Sequence, residues 1–100
     1  MEEKIDKAIA IVKGRIPSLT VHADMQKAAQ AVLNLKTAKA TYKGLGKSSD
    51  DLDEELTFVL GRVRSNLGAT ELQQVTQAAL HLTQAQAQGY PVKTTKTKTD

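Results

Sequence analysis

The chain has no cysteine and no tryptophan, one phenylalanine, two tyrosines and two prolines in 100 residues. Without Cys, disulfides and thiolate chemistry are excluded, and the sequence gives no sign of a redox compartment. With three aromatics, stacking platforms for single-stranded nucleic acid are nearly absent. No run of apolar residues is long enough to cross a bilayer. The opening Met1-Glu2-Glu3-Lys4 lacks the charge and apolar pattern of a secretory leader, so a cytoplasmic protein is expected. One hundred residues suffice for one domain with one core, without a metal or a disulfide.

The net charge of +3 is modest, but its distribution swings along the chain. Asp24–Lys47 carries five basic and one acidic side chain, Asp50–Leu67 five acidic and two basic, and Val92–Asp100 three basic and one acidic.

Apolar periodicity predicts four helices. In Glu2–Ile16, Ile5, Ile9, Val12 and Ile16 share a narrow arc, and Gly14 and Pro17 mark the stop. Asp24–Lys43 is rich in Ala, Leu, Lys and Gln, with Thr20 or Asp24 as cap. Its pattern changes partway. Met25, Ala28, Ala29, Val32 and Leu33 share one face, whereas Leu35, Ala38 and Tyr42 lie roughly 90° round from it. Either the packing face turns after Asn34 or the second half runs beyond the core.

After the loop Gly44-Leu45-Gly46, Ser48 or Ser49 caps a third helix, Asp50–Leu67, whose first turns are crowded with carboxylates that suit the helix dipole. Leu52, Leu56, Val59, Leu60, Val63 and Leu67 form its stripe. Gly68 is expected as a left-handed stop. Thr70-Glu71-Leu72-Gln73 reads as a capping box opening a fourth helix, Thr70–Gln88, with the stripe Leu72, Val75, Ala79 and Leu82. Neither stripe can bury itself alone, so the third and fourth helices are expected to form a tight αα-hairpin through Gly68-Ala69. The fold class is therefore all-α: a small four-helix bundle-like domain over residues 1–91, followed by a Lys/Thr-rich tail, 92–100, too poor in apolar residues to fold.

Nothing in the chain assembles a catalytic signature, and no cofactor or metal ligand is assigned. Gly46-Lys47-Ser48 matches the end of a phosphate-binding loop, but Thr41 stands where the first Gly is required and a helix precedes it instead of a strand. His22 and His81 have no Cys beside them, and zinc would need carboxylates from distant segments. Asp50–Glu55 lie on one helix end and do not face one another across a cleft. Arg62–Gln77 superficially resembles a helix-turn-helix. Yet Arg64 falls where a small residue should pack, and Gln74 where an apolar one is needed. In composition alone the chain resembles the short Ala- and Gln-rich bundles common among accessory proteins of bacteria and their viruses.

Three features point to partners. Phe58 lies roughly 150° from the centre of the third helix's stripe, beside Gly61 and Ser65. It either packs on the first helix or anchors a contact with another chain. Gln74, Gln77, His81 and Gln84 form an uncharged polar stripe on the fourth helix, where a solvated helix usually carries Lys and Glu. Lys36, Lys39, Lys43 and Lys47 form a basic stripe that either meets phosphates or complements the C-terminus of its own helix and the acidic start of the third helix. The expected function is a non-enzymatic protein-interaction or assembly module binding another protein or itself, as a homo-oligomer. The alternative is a nucleic-acid accessory protein using the lysine stripe and the tail. No membrane partner is expected.

Overall fold

The computed structural model describes residues 1–89; the tail expected over 92–100 lies outside them. Four α-helices account for the described chain: α1 (Glu2–Arg15), α2 (His22–Gly44), α3 (Asp50–Leu60) and α4 (Ala69–Ala87), with a 3-10 turn at Ile16–Ser18. There is no strand among the described residues.

Side-chain bonds between helices fix their directions. Lys39 on α2 meets Asp6 on α1, and Lys43 approaches Glu2, so α1 and α2 are antiparallel. Lys27 reaches Thr70 and Asn34 reaches Thr76, so α2 and α4 run parallel. Lys4 on α1 reaches Thr57 on α3, and α1 and α3 are likewise parallel, since Ala8 and Ile11 share a groove with Leu60 and Val63. The most extensive pairing is α2 with α4, followed by α1 with α2 and α3 with α4, while α1 and α3 touch more lightly. The helices thus form a ring in the order α1, α2, α4, α3. The starts of α1 and α3 and the ends of α2 and α4 share one end of the bundle.

α1 follows its stripe: Ile5, Ala8, Ile9 and Val12 are buried. Ile16 enters the 3-10 turn, as its place before Pro17 disfavours helix. Arg15 closes that turn by donating to Ser18 (3.0 Å) and reaches the Leu67 carbonyl (3.4 Å). The start of α2 departs from expectation. Its N-cap is Val21, with no side-chain bond, and neither Thr20 nor Asp24 caps it.

α2 continues unbroken for 23 residues, and its packing face neither turns nor leaves the core: one ridge runs through both halves. Ala28, Ala31, Leu35 and Ala38 are completely buried, whereas Ala29 and Leu33 are exposed. The chosen ridge recurs at spacings of three and four and is mostly alanine, which lets α4 come close. On α4 the facing ridge is Ala69, Leu72, Thr76, Ala79 and Thr83. Val75 and Leu82, expected in the stripe, pack partly buried at its flank. The two threonines enter the core because their hydroxyls are satisfied locally, donating to the carbonyls of Leu72 (2.7 Å) and Leu80 (2.8 Å).

The α3–α4 hairpin forms, with a longer link than Gly68-Ala69. α3 ends at Leu60, where Gly61 weakens helix propagation, and single-turn bonds from Arg62 to Val59 and Val63 to Leu60 follow. Val63 is nevertheless buried and Leu67 packs against the core, so the expected stripe survives in a non-helical segment. Gly68 is not left-handed: at φ −70° and ψ 161° it is the extended N-cap of α4. The capping box is also absent, since α4 begins before Thr70 and that hydroxyl instead accepts from Lys27 Nζ at 2.8 Å. The left-handed glycines that follow helices are Gly46, at φ 71° beyond α2, and Gly89, at φ 89° beyond α4.

Candidate functional site

The acidic opening of α3 is tied down first. Ser49 Oγ accepts from the Leu52 amide at 3.1 Å, the N-cap bond the sequence led us to expect of Ser48 or Ser49. Ser48 does something else. Tyr42 near the end of α2 donates its hydroxyl to Asp53 at 2.7 Å, and Ser48 donates to the other oxygen of that carboxylate at 3.1 Å. This triad joins α2, the loop and α3. Partial burial, together with the neighbouring Asp53 carboxylate, holds the Tyr42 phenol above its ordinary pKa; the Ser48 bond opposes this.

One turn beyond this anchor, Phe58 is 54% exposed. It does not pack into the monomer core. It stands at a groove of about 750 Å³ whose walls are Met1 and Lys4 on one side and Asp53, Glu54, Glu55 and Thr57 on the other. Lys4 Nζ donates to Thr57 at 3.1 Å and so pins α1 along this groove. The Arg62 guanidinium carbon stands 6.0 Å from the centre of the Phe58 ring, at the outer limit of a cation–π contact.

Arg62 is the residue sequence reasoning missed. It sits over Phe58 and also lines a shallow concavity with Leu67, Glu71, Gln74 and Val75. It therefore links the Phe58 side of α3 to the glutamine stripe of α4. Only the short reach from 58 to 62, one helical turn, hinted at this in the sequence. Along that stripe Gln74, Gln77 and His81 are exposed, while Gln84 is half-buried. Gly61 is exposed at the end of α3. Ser65 is exposed too, but it lies in the link after α3 has ended, so it does not extend a helical face with Phe58.

The lysine stripe divides. Lys39 Nζ lies 2.9 Å from an oxygen of Asp6, and that hydrogen bond raises its pKa. Lys43 Nζ stands 3.9 Å from Glu2. Lys36 and Lys47 are exposed. The carboxylates shown beside this stripe thus come from α1, and not from the start of α3 as expected, because α1 runs antiparallel along α2. Gly46-Lys47-Ser48 connects two helices, and Ser48 is engaged by Tyr42 and Asp53. The Arg62–Gln77 segment is no helix-turn-helix, because eight residues separate α3 from α4. His22 and His81 are both exposed, and among the described residues no three His, Cys, Asp or Glu side chains are grouped to hold a metal. Nor is any described helix long and apolar enough to cross a membrane.

No family model matches the chain, and neither a curated protein nor a solved structure matches it.

Proposed function

We propose that the protein is a non-enzymatic interaction or assembly module that associates with itself, through the surface running from Phe58 across Arg62 to Gln74 and Gln77. The observation carrying this reading is the exposure of Phe58, 54% of a phenylalanine left in water at the edge of a groove. Single exposed apolar residues are ordinary, but an aromatic ring with an Arg guanidinium 6.0 Å from its centre and a glutamine stripe beyond matches the aromatic–Arg centres of protein interfaces. The alternative use of the lysine stripe for nucleic acid is less favoured, because Lys39 is bonded to Asp6 and Lys43 stands beside Glu2.

Sedimentation velocity over a wide concentration range tests the reading. The wild-type chain is expected to associate with rising concentration. Phe58→Glu should sediment as a monomer with its helical circular dichroism unchanged, since the ring is outside the core. A wild-type protein that stays monomeric throughout would overturn the proposal.

A further inference from the structure

α1 and α3 touch lightly, and a second groove, of about 310 Å³, opens between them. It continues the Phe58 groove through the shared residues Lys4 and Thr57. Its floor is apolar: Ala8, Leu60 and Val63 are buried and Ile11 is half-buried. Its mouth is cationic, since Lys4 and Lys7 of α1 line it and no carboxylate does. The bond from Lys4 Nζ to Thr57, at 3.1 Å, holds one ammonium in place there. An occupant that suits apolar walls beneath ammonium groups is an aromatic ring, because its faces are electronegative. Apolar cavities of about 150 Å³ already admit benzene, so this groove has room for such a ring.

The chain carries that ring one helical turn away. Phe58 is the exposed aromatic of the described residues, and in its own chain it does not line this groove. Gly61, which does, follows it by three residues, about 4.5 Å along α3. The space above Gly61 is open: a Cβ there would meet only the carbonyls of its own last turn, Thr57 O at 3.3 Å and Phe58 O at 3.5 Å. If two copies meet with their α3 helices antiparallel, about a two-fold axis between Phe58 and Gly61, the ring of each lies over the glycine of the other. One contact then covers both rings and fills both grooves, and the assembly closes at two chains.

We infer that the occupant of the α1–α3 groove is Phe58 of a second copy, inserted reciprocally across a two-fold axis over Gly61. This rests on the reading of the Phe58 side as a self-association surface, and it adds what receives the ring.

The chain has one phenylalanine, so its ring signals have a single source. Full-length chain with 13C-labelled methyl groups is mixed with unlabelled chain, and isotope-filtered NOEs from the unlabelled ring are recorded. The expected result is cross-chain NOEs from Phe58 to the methyls of Ala8, Ile11, Leu60 and Val63. Two variants test reciprocity by sedimentation. Phe58→Ser removes the ring and keeps the groove. Gly61→Gln keeps the ring and obstructs the groove, at a φ of −66° that any residue adopts. Each alone should associate more than about tenfold more weakly than the wild type, the effect of losing an interface anchor. Their equimolar mixture should associate more tightly than either, because one ring still finds one open groove. Three results would overturn this inference and leave the self-association reading standing: association without cross-chain NOEs into the groove, growth of the wild type beyond dimers, or a mixture no tighter than its components when both are folded by circular dichroism. A wild-type chain that stays monomeric at every concentration refutes the self-association reading, and this inference with it.

Discussion

Asn34 of α2 donates its side-chain amide to the hydroxyl of Thr76 on α4 across 3.3 Å, inside the seam between the two parallel helices. Both are buried, at 4% and 0% exposure. Gln30 donates in turn to the Asn34 carbonyl oxygen at 3.0 Å, and Thr76 passes its own hydrogen to Leu72 O. The seam is otherwise mostly alanine, which fixes closeness but does little to fix register. A polar pair at one level penalises sliding by a turn, because sliding would leave a buried amide without an acceptor.

Thr76→Val removes that acceptor and keeps the shape. We expect a loss of about 1–3 kcal/mol in urea unfolding, the cost of a stranded buried donor. Asn34→Leu combined with Thr76→Val should restore a good part of it, so the double-mutant cycle gives a positive coupling. Equal, additive losses would show that the pair does not interact.

Leu33 and Leu35 are two residues apart on α2 and face opposite fates, at 55% and 0% exposure. Leu35→Ala should cost about 2–5 kcal/mol through lost burial and a residual cavity. Leu33→Ala should stay within about 0.5 kcal/mol of wild type, as surface changes do. The reverse ranking would place the packing face of α2 wrongly.

Ser49 caps α3 and Ser48 does not. Ser49→Ala is expected to lower stability by about 1 kcal/mol, the usual worth of an N-cap side chain. Ser48→Ala should leave helix α3 intact, because Asp53 retains its bond from Tyr42. Thermal unfolding of both variants measures this directly.

Tyr42 predicts an alkaline limit. Its phenol keeps its proton in the folded chain above 10.0, the value of an unperturbed tyrosine. The stabilisation is therefore fully present below pH 10.0 and is lost as pH rises through the higher folded value, because the unfolded chain ionises first. Lys39, also raised, acts with the same sign. Unfolding followed from neutral to alkaline pH should show the wild type losing stability more steeply than Tyr42→Phe. Parallel curves would refute the role of the triad.

What the sequence made legible follows from where periodicity carries information. Ile5, Ile9 and Val12 on α1, Leu52, Leu56 and Leu60 on α3, and the cap before Asp50 are local signals, and the all-helical class rests on them. The end of α3 was less visible. Val63 and Leu67 continue its apolar spacing although the backbone has left the helix, since burial selects apolar residues in links as well as in helices. Thr76 and Thr83 are core residues that no hydropathy pattern marks, because their hydroxyls are neutralised by carbonyls of their own helix. Exposure of Phe58 could not be separated from packing on α1 until the course of α1 along α3 was known. The bridge made by Arg62 depended on where the link after α3 brings α4.

The parallel course of α2 and α4 has a mechanical consequence. The start of α1 and the end of α4 share one end of the bundle, so a force that draws them apart does not load the helix seams lengthwise. It peels α1 from α2 and α3 beginning at Glu2 and Lys43, rupturing a few side-chain bonds at a time. Stretched by these two points, the domain should open progressively at low force, whereas pulling between the start of α1 and the start of α4 would shear whole interfaces at once.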